Sequence, residues 1–241
     1  MTILEVKKNG FDNQISKDQF DKLSNFKTAS WAIWSSSFNI KGCDEDSNNG
    51  PKTVIFNHIN ELKNNIILLG LNRSGNAIKA AGLPKKIFSN FHCVPHRGDK
   101  LLKETISDGK LLNISGAYMT DLSEIIKGKA ALVKISIKQA KKLFEKQLNI
   151  LNSPVFNIIC WGDDVFKHIQ KIYPPSSIVE IQKQQKNNVI FETKTYSCKT
   201  DKFSFRIYRS LHYSYIVNGR GNNRKPEFIE NLKYINEQIV L

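Results

Sequence analysis

Two near-continuous apolar runs, Ile66–Leu69 and Val155–Trp161, each stop at a glycine, and they restrict the possible folds more than any other feature. A strand that is apolar on both faces needs cover on both faces, the condition of a strand inside a parallel sheet flanked by helices. The helices are there to supply it. In "SIKQAKKLFEKQLNILN", Ile137, Ala140, Leu143, Phe144, Leu148 and Leu151 form one stripe with lysines opposite. "DDVFKHIQKIY" reads as a helix stopped by Pro174-Pro175, and "KPEFIENLKYINEQIV" as a final helix. Further strands are expected around Ile114–Thr120 and, more weakly, in "SSIVEIQK". "VIFETKTYSCKTDKFSFRIYRSL" suggests a hairpin or edge strand leading to a last core strand. The alternation predicts a three-layer α/β/α sandwich with a mostly parallel central sheet, formed by residues 51–241 as one domain.

The first 38 residues read differently, as a helical preface. Ser16 is placed to N-cap a helix carrying Phe20, Leu23 and Phe26, and Trp31 and Trp34 repeat the spacing of three. The polar stretch "NIKGCDEDSNNGPK" is expected as an exposed, mobile loop. Residues 1–50 are therefore set apart as a helical extension with a loop. "TVIFNHINELKNN" then reads as a short amphipathic helix that delivers the chain to Ile66.

Charge points to the partner. Among 241 residues, 36 Lys and Arg face 22 Asp and Glu, a net of +14. Such a surface attracts polyanions, nucleic acid above all, although a Lys- and Asn-rich composition also follows from the base composition of a genome. No apolar run approaches the roughly 18 residues of a membrane span, and the N-terminus lacks a signal-peptide core. Cys43, Cys93, Cys160 and Cys198 are widely spaced, without a Cys-x-x-Cys pair. That pattern fits a reduced, cytoplasmic protein rather than a disulfide or zinc framework.

In open parallel sheets, ligands sit at the carboxyl ends of the strands. Here those ends read Gly-Leu-Asn-Arg-Ser, Tyr-Met-Thr-Asp, Trp-Gly-Asp-Asp and Leu-His-Tyr-Ser. The first is no phosphate loop: after Gly70 and Gly75, Asn76 and Ala77 stand where Lys and Ser or Thr belong, and G-x-G-x-x-G is absent. Asn72 instead offers an amide that holds a water or donates from its NH2 group, while Ser74 is placed to cap a following helix. Asn72 also tolerates a left-handed turn, which is the plain structural reading.

Taken in order, these strand ends resemble the uracil-DNA glycosylase superfamily. Gly70-Leu-Asn-Arg-Ser74 is similar to its first motif, Leu211-His-Tyr-Ser214 to its last, and Gly116-Ala-Tyr-Met-Thr-Asp121 occupies the place of its base-reading strand. The likeness runs from about Asn65 to Asn236 and looks most like an uncharacterised bacterial branch. It implies a glycosylase that hydrolyses the N-glycosidic bond of uracil or a related deaminated base in DNA. Asn72 and His212 would be catalytic, Asn72 positioning water and His212 stabilising the departing base. Gly70, Leu71, Phe91 (or Phe88), Asp121 and Ser214 would hold the base and its phosphate. Arg73, Ser74, Tyr213, Arg220 and Arg224 would meet the DNA, with Tyr213, Tyr215 and "NGRGNNRK" forming a loop that enters the groove. The family's iron–sulfur branches set four cysteines in a spacing this chain lacks, so no cofactor is expected, and the protein is expected to act as a monomer away from membranes.

Three positions depart from the family pattern. Arg73 and Tyr213 each stand where a Pro is usual, and Asp121 stands where an Asn would pair with uracil. An ionised carboxylate accepts and does not donate, so Asp121 suits a base with an exocyclic amine, or is protonated, or faces elsewhere. These departures keep open a catalytically inactive, nucleic-acid-binding alternative, and a third class acting on a small nucleoside or phosphorylated ligand. "HCVPH" (His92, Cys93, His96) raises zinc, but Pro95 intervenes and no second ligand pair follows. The deaminase signature and the serine nucleophile elbow are both absent. Asp99 is expected to cap the helix "KLLKETI" or to support the pocket.

Overall fold

A computed structural model describes residues 13–34, 51–74, 91–92, 97–127, 135–217 and 222–239, and everything below concerns these. Seven strands form the main sheet, in the order β1-β4-β2-β6-β9-β8-β7. They are β1 (Ser30–Trp31), β2 (Ile66–Gly70), β4 (Tyr118–Asp121), β6 (Val155–Trp161), β7 (Glu180–Lys186), β8 (Val189–Lys199) and β9 (Ser204–Ser210). Two short strands, β3 (Arg73–Ser74) and β5 (Ile126–Lys127), pair in parallel beside it. The helices are α1 (Lys17–Leu23), α2 (Pro51–Asn57), α3 (Arg97–Lys103, prolonged by a π-turn to Asp108), α4 (Ile137–Leu151), α5 (Asp163–Ile172), α6 (Tyr213–Val217) and α7 (Lys225–Gln238).

The central four strands β4, β2, β6 and β9 run parallel, while β1, β8 and β7 are antiparallel to their neighbours. The sheet is therefore mixed rather than mostly parallel. Its parallel centre is where the sequence is apolar on both faces: every residue of β2 is buried. Side chains alternate between two cores. Ile67, Leu69, Phe156, Ile158 and Ile207 pack with α1, α4 and α5, whereas Ile66, Leu68, Ile159, Trp161 and Tyr208 pack with α3, α6 and α7. Helices thus cover both faces, the α/β layering expected.

The N-terminal segment corrects one expectation. Ser16 caps α1 as expected, and Gln19 completes a capping box by reaching back to the Ser16 backbone. Trp31, however, lies in β1 and pairs with Tyr118 at the sheet edge, not on a helix. Its spacing of three from Trp34 mimics a helix, but fully buried Trp31 stacks on Phe20 at 4.9 Å and meets Tyr118 edge-on at 5.2 Å. Residues 13–34 are thereby built into the main core. Of the loop expected at 39–52, residues 39–50 lie outside the described residues, and Pro51 and Lys52 begin α2 instead.

One buried polar junction had no sequence expectation. Gln147 sits on the apolar stripe of α4, completely buried, and its Oε1 accepts from Tyr118 Oη at 2.6 Å and from Thr120 Oγ1 at 2.8 Å. A buried amide so satisfied fixes α4 against β4.

Candidate functional site

The carboxyl ends of the four parallel strands lie at one edge of the sheet, and the turns leaving them bring the sequence-expected residues together. At the end of β2, Leu71 is buried and Asn72 half-buried. Gly70 is register partner to Asp121 on β4, and the Leu122 N–H donates to the Gly70 carbonyl at 3.0 Å. A Cβ at Gly70 would lie 2.0 Å from Asp121 Oδ1 and 3.5 Å from Phe91 Cζ. The missing side chain is what admits a carboxylate and an aromatic ring onto the end of the strand. Phe91 holds this place with φ of 69°, uncommon for a bulky residue. Asp121 is 2% exposed, as is Asp99 in the first turn of α3.

The other half of the site hangs on a second glycine. Gly162, at φ 87°, turns the chain from β6 into α5, and its N–H donates to the Ser210 carbonyl at 2.8 Å. A Cβ there would lie 3.2 Å from His212 Cβ, so the glycine lets the turn after β9 settle against the turn after β6. Beside it, Arg209 donates two hydrogen bonds to Asp163, of 3.2 and 2.8 Å, tying β9 to the start of α5. The Arg209 guanidinium and its charge hold the Asp163 carboxyl below its ordinary range.

His212 has a defined tautomer. The Ser214 backbone N–H donates to His212 Nδ1 at 3.2 Å, and Ser214 Oγ lies 2.9 Å from the same atom. A backbone amide only donates, so Nδ1 must accept, and the ring proton belongs on Nε2. Burial lowers the His212 pKa to about 4, against an opposing pull from Asp164. The imidazole is therefore neutral at pH 7, with one N–H to give. Ser214 was expected to hold base and phosphate; both its groups are directed at His212 instead.

Tyr213 corrects the reading of it as a groove-entering residue. It is 8% exposed, stacked on His212 at 5.1 Å, edge-on to Trp161 at 5.6 Å and 6.5 Å from Phe91. Burial, and then the nearby charges of Asp99 and Asp121, push its phenol well above the ordinary value. Phe91, Tyr213 and His212 form a continuous aromatic wall joining the two halves of the edge. Only Tyr215 of this pair of tyrosines is exposed, at 47%.

Other expected residues are placed as follows. Arg73 and Ser74 belong to β3, paired with Ile126 and Lys127, and the helix that Ser74 was expected to cap lies outside the described residues. Arg224 donates both Nε and Nη2 to Glu227 at 2.7 Å. Asp99 is the third residue inside α3, not its cap. Fully buried His92 contacts Ser30 Oγ through Nε2 at 2.5 Å, and burial lowers its pKa to about 3, so it serves the core. Phe88, Cys93, His96 and Arg220 lie outside the described residues. No group of three or more metal-ligating side chains occurs among the described residues, and no helix among them is long and apolar enough to cross a membrane.

The two glycine approaches and the Asp163–Arg209 tie were not anticipated. Gly162 closes an apolar strand and precedes an acidic helix start, a signal visible in "CWGDD"; nothing in the sequence pairs Asp163 with Arg209. No protein-family model matches the chain, and no curated protein matches it.

Proposed function

We propose that this chain is a uracil-DNA glycosylase-like protein that hydrolyses the N-glycosidic bond of a damaged base in DNA, uracil and other deaminated bases being the first to test. The observation that carries the reading is His212, neutral and left with an Nε2–H by its Ser214 contact, at the same sheet edge as Asn72. Breaking the C–N bond leaves its electron pair on the base and positive charge on the sugar. A neutral N–H donor stabilises the base as charge develops and surrenders no proton in the ground state. Asn72 would orient the water whose oxygen bonds to the sugar carbon, with its proton passing to solvent. The ends of β2 and β9 are two strand spacings apart, about 10 Å, a distance a nucleotide bridges. Phe91 and Tyr213 offer rings against which a flipped base would pack.

The alternative, binding without turnover, draws on Asp121, whose carboxyl group lies on Gly70 at the same edge where the family pattern has an Asn. One experiment separates them. Oligonucleotides carrying uracil, hypoxanthine or xanthine are incubated with the protein and treated with alkali. Strand scission that disappears in Asn72→Ala and His212→Ala supports the glycosylase; tight binding with no scission on any substrate sinks it.

A further inference from the structure

We infer that the solvent face of α4 and α5 is a docking surface for the phosphate backbone of nucleic acid; this rests on the reading above that the substrate is part of a polynucleotide. The two helical layers differ in how they use charge. On the α7 side every basic residue of the helix and its cap has an acid: Arg224 with Glu227 at 2.7 Å, Lys225 with Glu104 at 3.3 Å and Lys233 with Glu230 at 2.8 Å. On the other side, Lys138, Lys142 and Lys146 recur every four residues along α4, and Lys167 and Lys171 do so along α5, all exposed. Among the described residues, the one ion pair within α4 is Lys141 with Glu145, at 3.8 Å, and none is formed by those five lysines. Asp163, at the start of α5, is already held by Arg209 and Lys194.

Position and chemistry both favour nucleic acid. α4 ends at Leu151 and β6 begins at Val155, so α4 runs opposite to the strand, and α5 leaves the carboxyl end of β6 at Asp163. Both helices therefore start at the edge that carries Asn72 and His212 and run side by side away from it. Lysines four apart are about 6 Å apart along a helix, and packed helices lie about 8–10 Å apart. Two rows of cations thus extend from that edge, where a strand engaged there would continue. The apolar stripes of both helices are spent on the core, leaving nothing to insert into a lipid surface.

The test measures binding of a fluorescent 30-mer against salt concentration. Each lysine–phosphate contact contributes a slope of about 0.9 on duplex DNA. The triple variant K138Q/K142Q/K146Q is expected to lose about 2–3 of that slope and roughly tenfold or more of affinity at low salt. K225Q/K233Q, on the paired α7 face, is expected to change neither. An unchanged slope in the α4 variant, or an equal loss in the α7 control, overturns the inference. So does loss of binding to phosphatidylserine vesicles with DNA binding intact, which would assign the face to a membrane. Base release from damaged oligonucleotides is followed in parallel: its absence with the slope loss present defeats the glycosylase reading alone and leaves the docking surface standing.

Discussion

The carboxyl edge of the parallel strands and the flank built from β7, β8 and α7 use their polar residues differently. At the carboxyl edge, Asp99 and Asp121 are buried, His212 is held neutral, and bare glycines make room for an Asp and a His side chain. At the flank, Lys186 pairs with Glu237 at the surface and Ile181 and Ile190 are 59% and 67% exposed, while the polar residues that are buried find partners within the flank: Asn231 donates to Thr193 Oγ1 at 2.6 Å, and Glu230 pairs with Lys233 at 2.8 Å. Burying charge and forcing bulky residues into unusual backbone costs stability. Local departures of this kind, gathered at one edge, make that edge the candidate site.

The sharpest way to break this contrast is steric. Gly70→Ala puts a carbon where Asp121 Oδ1 now sits and is expected to destabilise the protein by about 2–4 kcal/mol. Adding Asp121→Ala should recover part of it in a denaturant double-mutant cycle. Leu112→Ala, at a side chain 73% exposed, should change stability by less than about 0.5 kcal/mol.

The next effect is acid sensitivity. His212 and His92 have pKa values lowered to about 4 and about 3, so the unfolded chain takes up protons first. Their contribution is intact above about 6.5, the ordinary histidine value, and is lost as pH falls toward about 4. Urea unfolding at pH 7 and pH 5 should differ by on the order of 1–3 kcal/mol, and the difference should shrink in His92→Gln. Equal stability at the two values would mean that neither imidazole is held neutral by burial.

Base preference comes third. Asp121→Asn adds a donor beside the acceptor and should shift excision toward uracil by about tenfold relative to amine-bearing bases, a change of about 1.4 kcal/mol. Competition between two labelled substrates reads it directly. The smallest effect belongs to the flank: Lys225→Ala breaks an exposed pair with Glu104, and its melting curve should move by the equivalent of less than about 0.5 kcal/mol.

How much of this was legible in the residues depended on whether the signal was local. β2, β6, α4, α5 and α7 follow from apolar runs and stripes within single segments. β1 did not, because two buried residues of a sheet edge leave no period to read, and Trp31 and Trp34 imitate a helical one. At the site, Asn72, Asp121 and His212 could be named because each lies at or just past a strand end whose residues resemble a family motif. Tyr213 was misread because its neighbours are polar; its burial comes from Trp161 and Phe91, distant in sequence. The role of Ser214 needed the turn that aims its amide at His212, and the Asp163–Arg209 tie needed the pairing of β6 with β9.

The central claim is that His212 acts as a neutral Nε2–H donor, and the pH dependence of base release under single-turnover conditions tests it most directly. The expected profile is level from pH 8 to about 5 and falls only as pH approaches about 4, with His212→Ala slower by about 10²–10³ throughout. A rate that falls with an apparent pKa near 6.5, or a His212→Ala variant as fast as the parent, would contradict it.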